Sequence, residues 1–215
     1  MVANTNISQT SKSHKKLSKT EIGYFKTIMR TIKNKKDFSI VHFGHRSMNI
    51  VENTHIDKIT QKLCNSIKNR FGKTKKVYFA GIVTSQNAHE QSFHYDEGWA
   101  RDATIGKHRK EITILIPLQK FKNNGTEIVR LKTHKMSCDK YENKYADKIK
   151  KFIQSKFFSL EHLKKSILSL DKNIIIKPQY SNFDKYEISY WTNKVIHRRP
   201  KIGNRKRSVF IMVIK

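Results

Sequence analysis

His94 and Asp96 stand two residues apart in Phe93-His94-Tyr95-Asp96-Glu97. On an extended chain, side chains at that spacing leave the same face, so an imidazole and a carboxylate are presented together. Such a pair supplies two legs of a facial metal site. A second imidazole completes it and leaves three positions open for exogenous ligands. His197, in Val195-Ile196-His197, is the best candidate for the third leg. Ten residues further on, Arg207-Ser208 heads the apolar run Val209–Ile214.

Other histidines compete for attention and fail on context. His55-Ile56-Asp57 repeats the His-x-Asp spacing, but Thr54 and Asp57 form a helix-start pattern. Ile56, Ile59, Leu63, Ile67 and Phe71 then follow a helical period, on which residues two apart diverge. His89-Glu90 followed by His94 approaches the His-Glu-x-x-His zinc pattern. Its spacing is five rather than four, so the imidazoles would diverge on a helix. His42 and His45 have no acidic neighbour in sequence. Neither a glycine-rich phosphate loop nor a Ser or Cys nucleophile elbow is present.

The elements that must carry these residues follow from periodicity. Residues 1–17 are polar and lysine-rich without an apolar period and read as a disordered basic tail, leaving 18–215 as a single domain. Ser18-Lys19-Thr20-Glu21 is a capping box, and the stripe Ile22, Phe25, Met29, Ile32 predicts a helix to about Lys33. Phe38–Phe43 alternates like a strand. A helix over 55–71 should end at Gly72 in a left-handed cap, before a strand at Val77–Val83. Trp99–Lys110 reads as a polar loop, and Ile112–Leu118 is apolar enough to be a central strand. The turn signal Asn123-Asn124-Gly125 before Thr126–Leu131 predicts a hairpin joining those two strands. Two helices are expected within 143–170, the second capped by Ser159. Strands return at Ile174–Ile176, Tyr186–Trp191, Val195–His197 and Val209–Ile214. Periodicity alone supports a mixed α+β class, mainly β.

The order His-x-Asp, about a hundred residues, His, about ten residues, Arg-Ser and a closing strand resembles the iron(II)/2-oxoglutarate-dependent dioxygenase superfamily, including its prolyl hydroxylase and phytanoyl-CoA hydroxylase-like members. The resemblance covers roughly residues 77–215. It implies a double-stranded β-helix (jelly-roll) core with N-terminal and inserted helices. His94 and Asp96 would then end the second core strand, His197 would lie on the seventh, and Arg207 would open the eighth. It further implies that His94, Asp96 and His197 hold Fe(II), which 2-oxoglutarate chelates through its keto-acid end. Arg207, whose planar fork suits a carboxylate, would hold the far end of 2-oxoglutarate, with Ser208 or Tyr190 as secondary contacts. Many members have Arg-x-Ser where this chain has Arg207-Ser208, so Arg205 and Lys206 are alternative anchors. Thr126-Glu127-Ile128-Val129 is loosely similar to the family's Gly-Gly-Thr-like strand. The implied activity uses O2 to hydroxylate or oxidatively demethylate an unidentified substrate.

Composition bounds the partners. Lys and Arg number 45 against 17 Asp and Glu, a net charge of +28 and a pI near 10.1. Such a field attracts nucleic acid or another polyanion, and Lys194, Arg198, Arg199, Lys201, Arg205 and Lys206 crowd the segment around His197. A basic, non-catalytic nucleic-acid-binding jelly-roll is therefore the alternative to an enzyme. The lysine, asparagine and isoleucine richness is also what AT-rich coding gives, as in large DNA viruses or protists. No apolar run approaches the ~20 residues of a membrane span, and the N-terminus lacks a signal-peptide core. Cys64 and Cys138 lack metal or disulfide spacing and read as reduced, buried thiols of an intracellular protein.

Overall fold

The capping box forms as its spacing predicts. The Ser18 amide donates to Glu21 Oε2 (2.7 Å), and the Glu21 amide donates to Ser18 Oγ (3.2 Å). Helix α1 follows over Lys19–Asn34. Strands β1 (Ser39–Phe43) and β2 (Arg46–Ile50) come next, then helix α2 (His55–Asn69). Gly72 follows α2 with φ +139°, a value glycine adopts because it has no Cβ to clash. The carboxylate of Glu21 is buried and also accepts from Ser66 Oγ (2.8 Å) and from Arg70, so one acid caps α1 and ties it to α2. These residues belong to a computed structural model that describes 16–34, 39–43, 46–50, 55–85, 90–96, 111–120, 126–153, 157, 159–180, 184–201 and 207–215.

The remaining elements are β3 (Val77–Ser85), β4 (Ile112–Pro117), β5 (Glu127–Lys132), α3 (Cys138–Ile153), α4 (Leu160–Leu170), β6 (Ile175–Tyr180), β7 (Ser189–Thr192), β8 (Ile196–Arg198) and β9 (Arg207–Ile214). They form two antiparallel sheets, one of six strands in the order β1-β2-β3-β9-β4-β7 and one of three in the order β6-β5-β8. An isolated antiparallel bridge between His94 and His197 adds a short segment alongside β8.

Strand alternation assigns the faces. In β4, Ile112, Ile114 and Ile116 pack with Phe25, Ile28, Leu63 and Ile67 of α1 and α2, and Phe210 and Met212 of β9 join them. Thr113 and Leu115 take the opposite face. There Leu115, Val83, Trp191 and Val209 of the large sheet meet Ile128 of the small one and Val195, the residue just before β8. On the far side of the small sheet, Val129, Leu131 and Ile196 pack against Ile149, Ile153, Leu163 and Ile167 of α3 and α4. Each such fully buried aliphatic side chain contributes about 1.5–3 kcal/mol. The molecule is thus layered as helices, large sheet, small sheet, helices.

Three expectations need correction. β4 and β5 do not form a hairpin. β4 has both edges occupied, by β9 and β7, while β5 lies between β6 and β8 in the other sheet. Residues 121–125, with the turn signal, lie outside the described residues. The packed body also begins earlier than residue 18. Lys16 bridges Glu187 and Leu17 is buried in the core, whereas residues 1–15 lie outside the described residues. Finally, α3 begins at Cys138 rather than near 143, because Arg130 and the Leu131 amide of β5 hold Glu142 in its first turns. Ser159 does cap α4, accepting from the His162 amide. Among the described residues no helix is long and apolar enough to cross a membrane.

Candidate metal centre

The bridge that joins His94 to His197 is built from two backbone hydrogen bonds. The His94 amide donates to the His197 carbonyl (3.0 Å), and the His197 amide donates to the His94 carbonyl (2.9 Å). Directly opposed residues of an antiparallel pair project to the same side. The two imidazoles accordingly lie 4.6 Å apart between centroids. Asp96, two residues beyond His94, joins them, and one ligand atom from each of the three lies within 4.8 Å of the others. Backbone pairing has brought together side chains separated by about half the chain.

Each imidazole is oriented from behind. His94 Nδ1 lies 2.8 Å from the Ser92 carbonyl and His197 Nδ1 lies 3.1 Å from the Val195 carbonyl. A carbonyl only accepts, so Nδ1 carries the proton in both rings and Nε2 of the neutral ring presents a lone pair. That is the arrangement in which a histidine binds a metal through Nε2. Asp96 Oδ1 lies 3.2 Å from His197 Nε2, while Oδ2 accepts from Thr113 Oγ1 (2.7 Å) and Trp191 Nε1 (3.2 Å).

Electrostatics follow from this packing. Burial by itself would raise the Asp96 carboxyl. The charge and hydrogen bond of His197, the Thr113 hydroxyl and the charge of His94 together outweigh it, and the carboxyl is held well below the usual carboxylate range. His197 is the complement. Burial pulls the imidazolium down, but the Asp96 charge and hydrogen bond prevail and raise its pKa.

The three side chains line a cavity of about 220 Å³ between the sheets, together with Arg207, Arg199, Gln91, Thr126 and an apolar wall that includes Val83, Leu115, Val209 and Ile211. Arg207 is 3% exposed and donates from Nη2 to the Thr126 hydroxyl (3.3 Å). The donor set fits a divalent first-row metal: two imidazole nitrogens and one carboxylate on one side, with open space opposite. The cation in the same wall fits a carboxylate-bearing co-ligand.

Not every residue singled out from the sequence reaches this cavity. Ser208 follows Arg207 on β9 and so points to the other face, where its Oγ lies 3.0 Å from Thr84 Oγ1. The assignment of Ser208 as a cofactor contact is therefore corrected. Tyr190 likewise packs against Phe71 (centroids 4.9 Å) on the helix side of β7, and its neighbour Trp191 faces the cavity instead. Arg205, Lys206, Glu97 and Trp99 lie outside the described residues.

The basic segment around His197 is also less uniform than its composition suggests. Arg198 is engaged by Glu127 and by Glu90 (3.2 Å), and its guanidinium sits 4.3 Å from the Phe93 ring centroid. Lys194 donates to the Asn143 carbonyl (3.1 Å). Arg199 does line the cavity, and Lys201 is exposed. Sequence reasoning missed Thr113, Trp191 and Gln91. The available signal was a hydroxyl inside β4, whose neighbours Ile112, Ile114, Leu115 and Ile116 are all aliphatic.

Neither a protein-family model nor a curated protein matches the sequence. Solved structures do match. The chain is similar to a 2OG-Fe(II) oxygenase family oxidoreductase from Burkholderia pseudomallei, at 10% identity over 87% of this chain and 77% of that one, with TM-score 0.52. It is similar to SnoK, a non-heme alpha ketoglutarate dependent carbocyclase from nogalamycin biosynthesis, at 12% identity over 92% and 76%, with TM-score 0.53. HygX from Streptomyces hygroscopicus, solved with nickel and 2-oxoglutarate bound, matches at 9% identity over 89% and 78%, with TM-score 0.50. At such identities the likeness is one of fold. The chain shares its fold with the 2OG-Fe(II) oxygenases, and the His94–Asp96–His197 group sits inside that fold.

Proposed function

We propose that this protein is an iron(II)- and 2-oxoglutarate-dependent dioxygenase that hydroxylates or oxidatively demethylates its substrate. One observation carries the reading: three ligand atoms within 4.8 Å of one another in a cavity that Arg207 also lines. Support for a single double-stranded β-helix domain comes from the strand order. β3-β9-β4-β7 form one side, and β8-β5-β6, extended by the His94 bridge, form the other.

In this reading His94 Nε2, His197 Nε2 and an Asp96 oxygen hold the metal. Iron(II) with 2-oxoglutarate would supply oxidation of a substrate C–H bond by O2, with 2-oxoglutarate converted to succinate and carbon dioxide. The Nδ1 hydrogen bonds keep both imidazoles in the metal-binding tautomer. Arg207, oriented through Thr126, takes the far carboxylate of 2-oxoglutarate as a charge-assisted pair. Val83, Leu115, Val209 and Ile211 limit water, which strengthens that pairing. The net charge of +28, with Arg199 in the cavity wall, supports a substrate that is, or is attached to, a polyanion such as nucleic acid. The thiols of Cys64 and Cys138 are free, which suits an intracellular setting.

The test is turnover. Purified protein given Fe(II), 2-oxoglutarate and O2 should form succinate, and His94→Ala or Asp96→Ala should abolish it. Succinate formation no faster than in those variants, even with oligonucleotides added, would overturn the proposal.

A further inference from the structure

A carboxylate has two oxygens, and Asp96 uses them differently. Oδ2 receives two donors, Thr113 Oγ1 at 2.7 Å and Trp191 Nε1 at 3.2 Å, while Oδ1 lies 3.2 Å from His197 Nε2 on the side where the ligand atoms gather. Two donors fill the two in-plane lone-pair directions of Oδ2. The oxygen that remains to meet a metal is Oδ1.

The two donors are not independent. Thr113 on β4 and Trp191 on β7 are register partners in the large sheet. Directly opposed side chains on one face stand about 4.5–5.5 Å apart, close enough to converge on a single atom. Asp96 approaches from the other sheet, two residues past the His94 bridge. One cross-strand rung of the large sheet thus reaches across the interior and grips a side chain presented by the small one. The indole also lies 4.9 Å from the His197 ring at 45°, so the same residue borders two of the three ligands.

From this geometry we infer that Thr113 and Trp191 are positioning residues of the metal centre: together they hold Asp96 Oδ2 and make Asp96 a one-oxygen ligand through Oδ1. The inference rests on the metal-binding reading above. Its consequence is coordination number. A carboxylate free to turn can offer both oxygens to a metal and occupy a position that a co-ligand needs. One whose second oxygen is held by a hydroxyl and an indole N–H offers one, and the open side of the centre stays open. β4 also gains an explanation for its hydroxyl: valine would fill the same space among aliphatic neighbours but could not donate.

The test uses the full chain with Co(II) or Zn(II), so it does not depend on turnover. Affinity is measured by competition with a chelator, and Asp96 coordination by metal-minus-apo infrared difference spectra, in which one-oxygen and two-oxygen carboxylates differ in the separation of their two stretches. Thr113→Val and Trp191→Phe keep shape and remove a donor. Each should weaken metal affinity by about 10–100-fold, the usual effect of losing a partner behind a ligand, and narrow the carboxylate splitting. Thr113→Ser restores the hydroxyl and should restore both readouts. If Thr113→Val and Thr113→Ser bind alike, or both donor-deleting variants keep the wild-type splitting, the inference is overturned. Should Thr113→Val fail to fold, as judged by its apo melting curve, Trp191→Phe and Thr113→Ser decide. Failure of the wild-type chain to bind Co(II) at all would instead overturn the metal site itself.

Discussion

Arg130 and Arg207 are buried to nearly the same degree, 5% and 3% exposed, and lie in different chemical company. Arg130 donates from Nε to both oxygens of Glu142 (2.8 and 3.0 Å) and from Nη2 to Asp139 (2.5 Å), and Glu142 also accepts from the Leu131 amide (3.0 Å). The chain itself supplies the anions there, and the network fastens α3 to β5. Arg207 stands in a cavity wall beside the three candidate ligands, oriented through a neutral hydroxyl. A buried cation ringed by the chain's own carboxylates is a fastening. One presented to a cavity is suited to a visiting anion.

The sharpest way to break this comparison is to exchange the outcomes. Arg130→Met should destabilise the fold by about 3–5 kcal/mol, because it strands the Glu142 carboxylate in a buried site, and denaturant unfolding reads this directly. The surviving folded fraction should bind 2-oxoglutarate as the wild type does. Arg207→Ala should do the reverse, weakening 2-oxoglutarate by about 2–5 kcal/mol while metal affinity holds, as calorimetry on the metal-loaded protein would report. If Arg207→Ala unfolds the chain and Arg130→Met leaves stability intact, the two assignments are inverted.

A pH series sharpens the contrast. His197 has a raised pKa in the metal-free fold, so its protonated pair with Asp96 contributes stability that is fully present below the ordinary imidazole value of 6.5. That contribution is lost as pH rises through the raised value. Protons and metal compete for the same nitrogen, so metal affinity should fall as pH drops through that range. Melting curves should therefore show the metal-free protein losing stability towards alkaline pH, with bound Zn(II) offsetting the loss. A metal affinity that does not change with pH there would contradict the His197 assignment. The smallest effect concerns the helix-packed side. Burial pushes the Cys64 thiol up to about 12, so iodoacetamide should leave Cys64 unmodified in native protein and label the half-buried Cys138 first.

Much of this architecture was legible before any coordinates. The Ser18–Glu21 box, the stripes of α1, α2 and α4, and the apolar runs of β3, β4 and β9 are local signals, set by side-chain spacing and capping chemistry. What failed was pairing. A turn signal at 123–125 suggests a hairpin, but whether β4 has an edge to offer depends on β7 and β9, which begin at Ser189 and Arg207, far along the chain from the turn. β2 escaped notice because Arg46-Ser47-Met48-Asn49-Ile50 is a weak strand pattern, and it pairs β1 and β3 all the same.

The site divides along the same line. By itself the sequence determined that His94 and Asp96 are presented together, because that follows from the two-residue period of an extended chain; the same period separates Ser208 from Arg207, which the expectation of Ser208 as a cofactor contact overlooked. Only the tertiary structure decided that His197 stands opposite His94, that Arg207 opens into their cavity, that Arg198 turns to Glu127 and Glu90, and that Thr113 and Trp191 close on Asp96. Those contacts join residues far apart in the chain. Their partners are chosen by which strands share an edge and which faces meet across the interior, and no spacing within one segment encodes that.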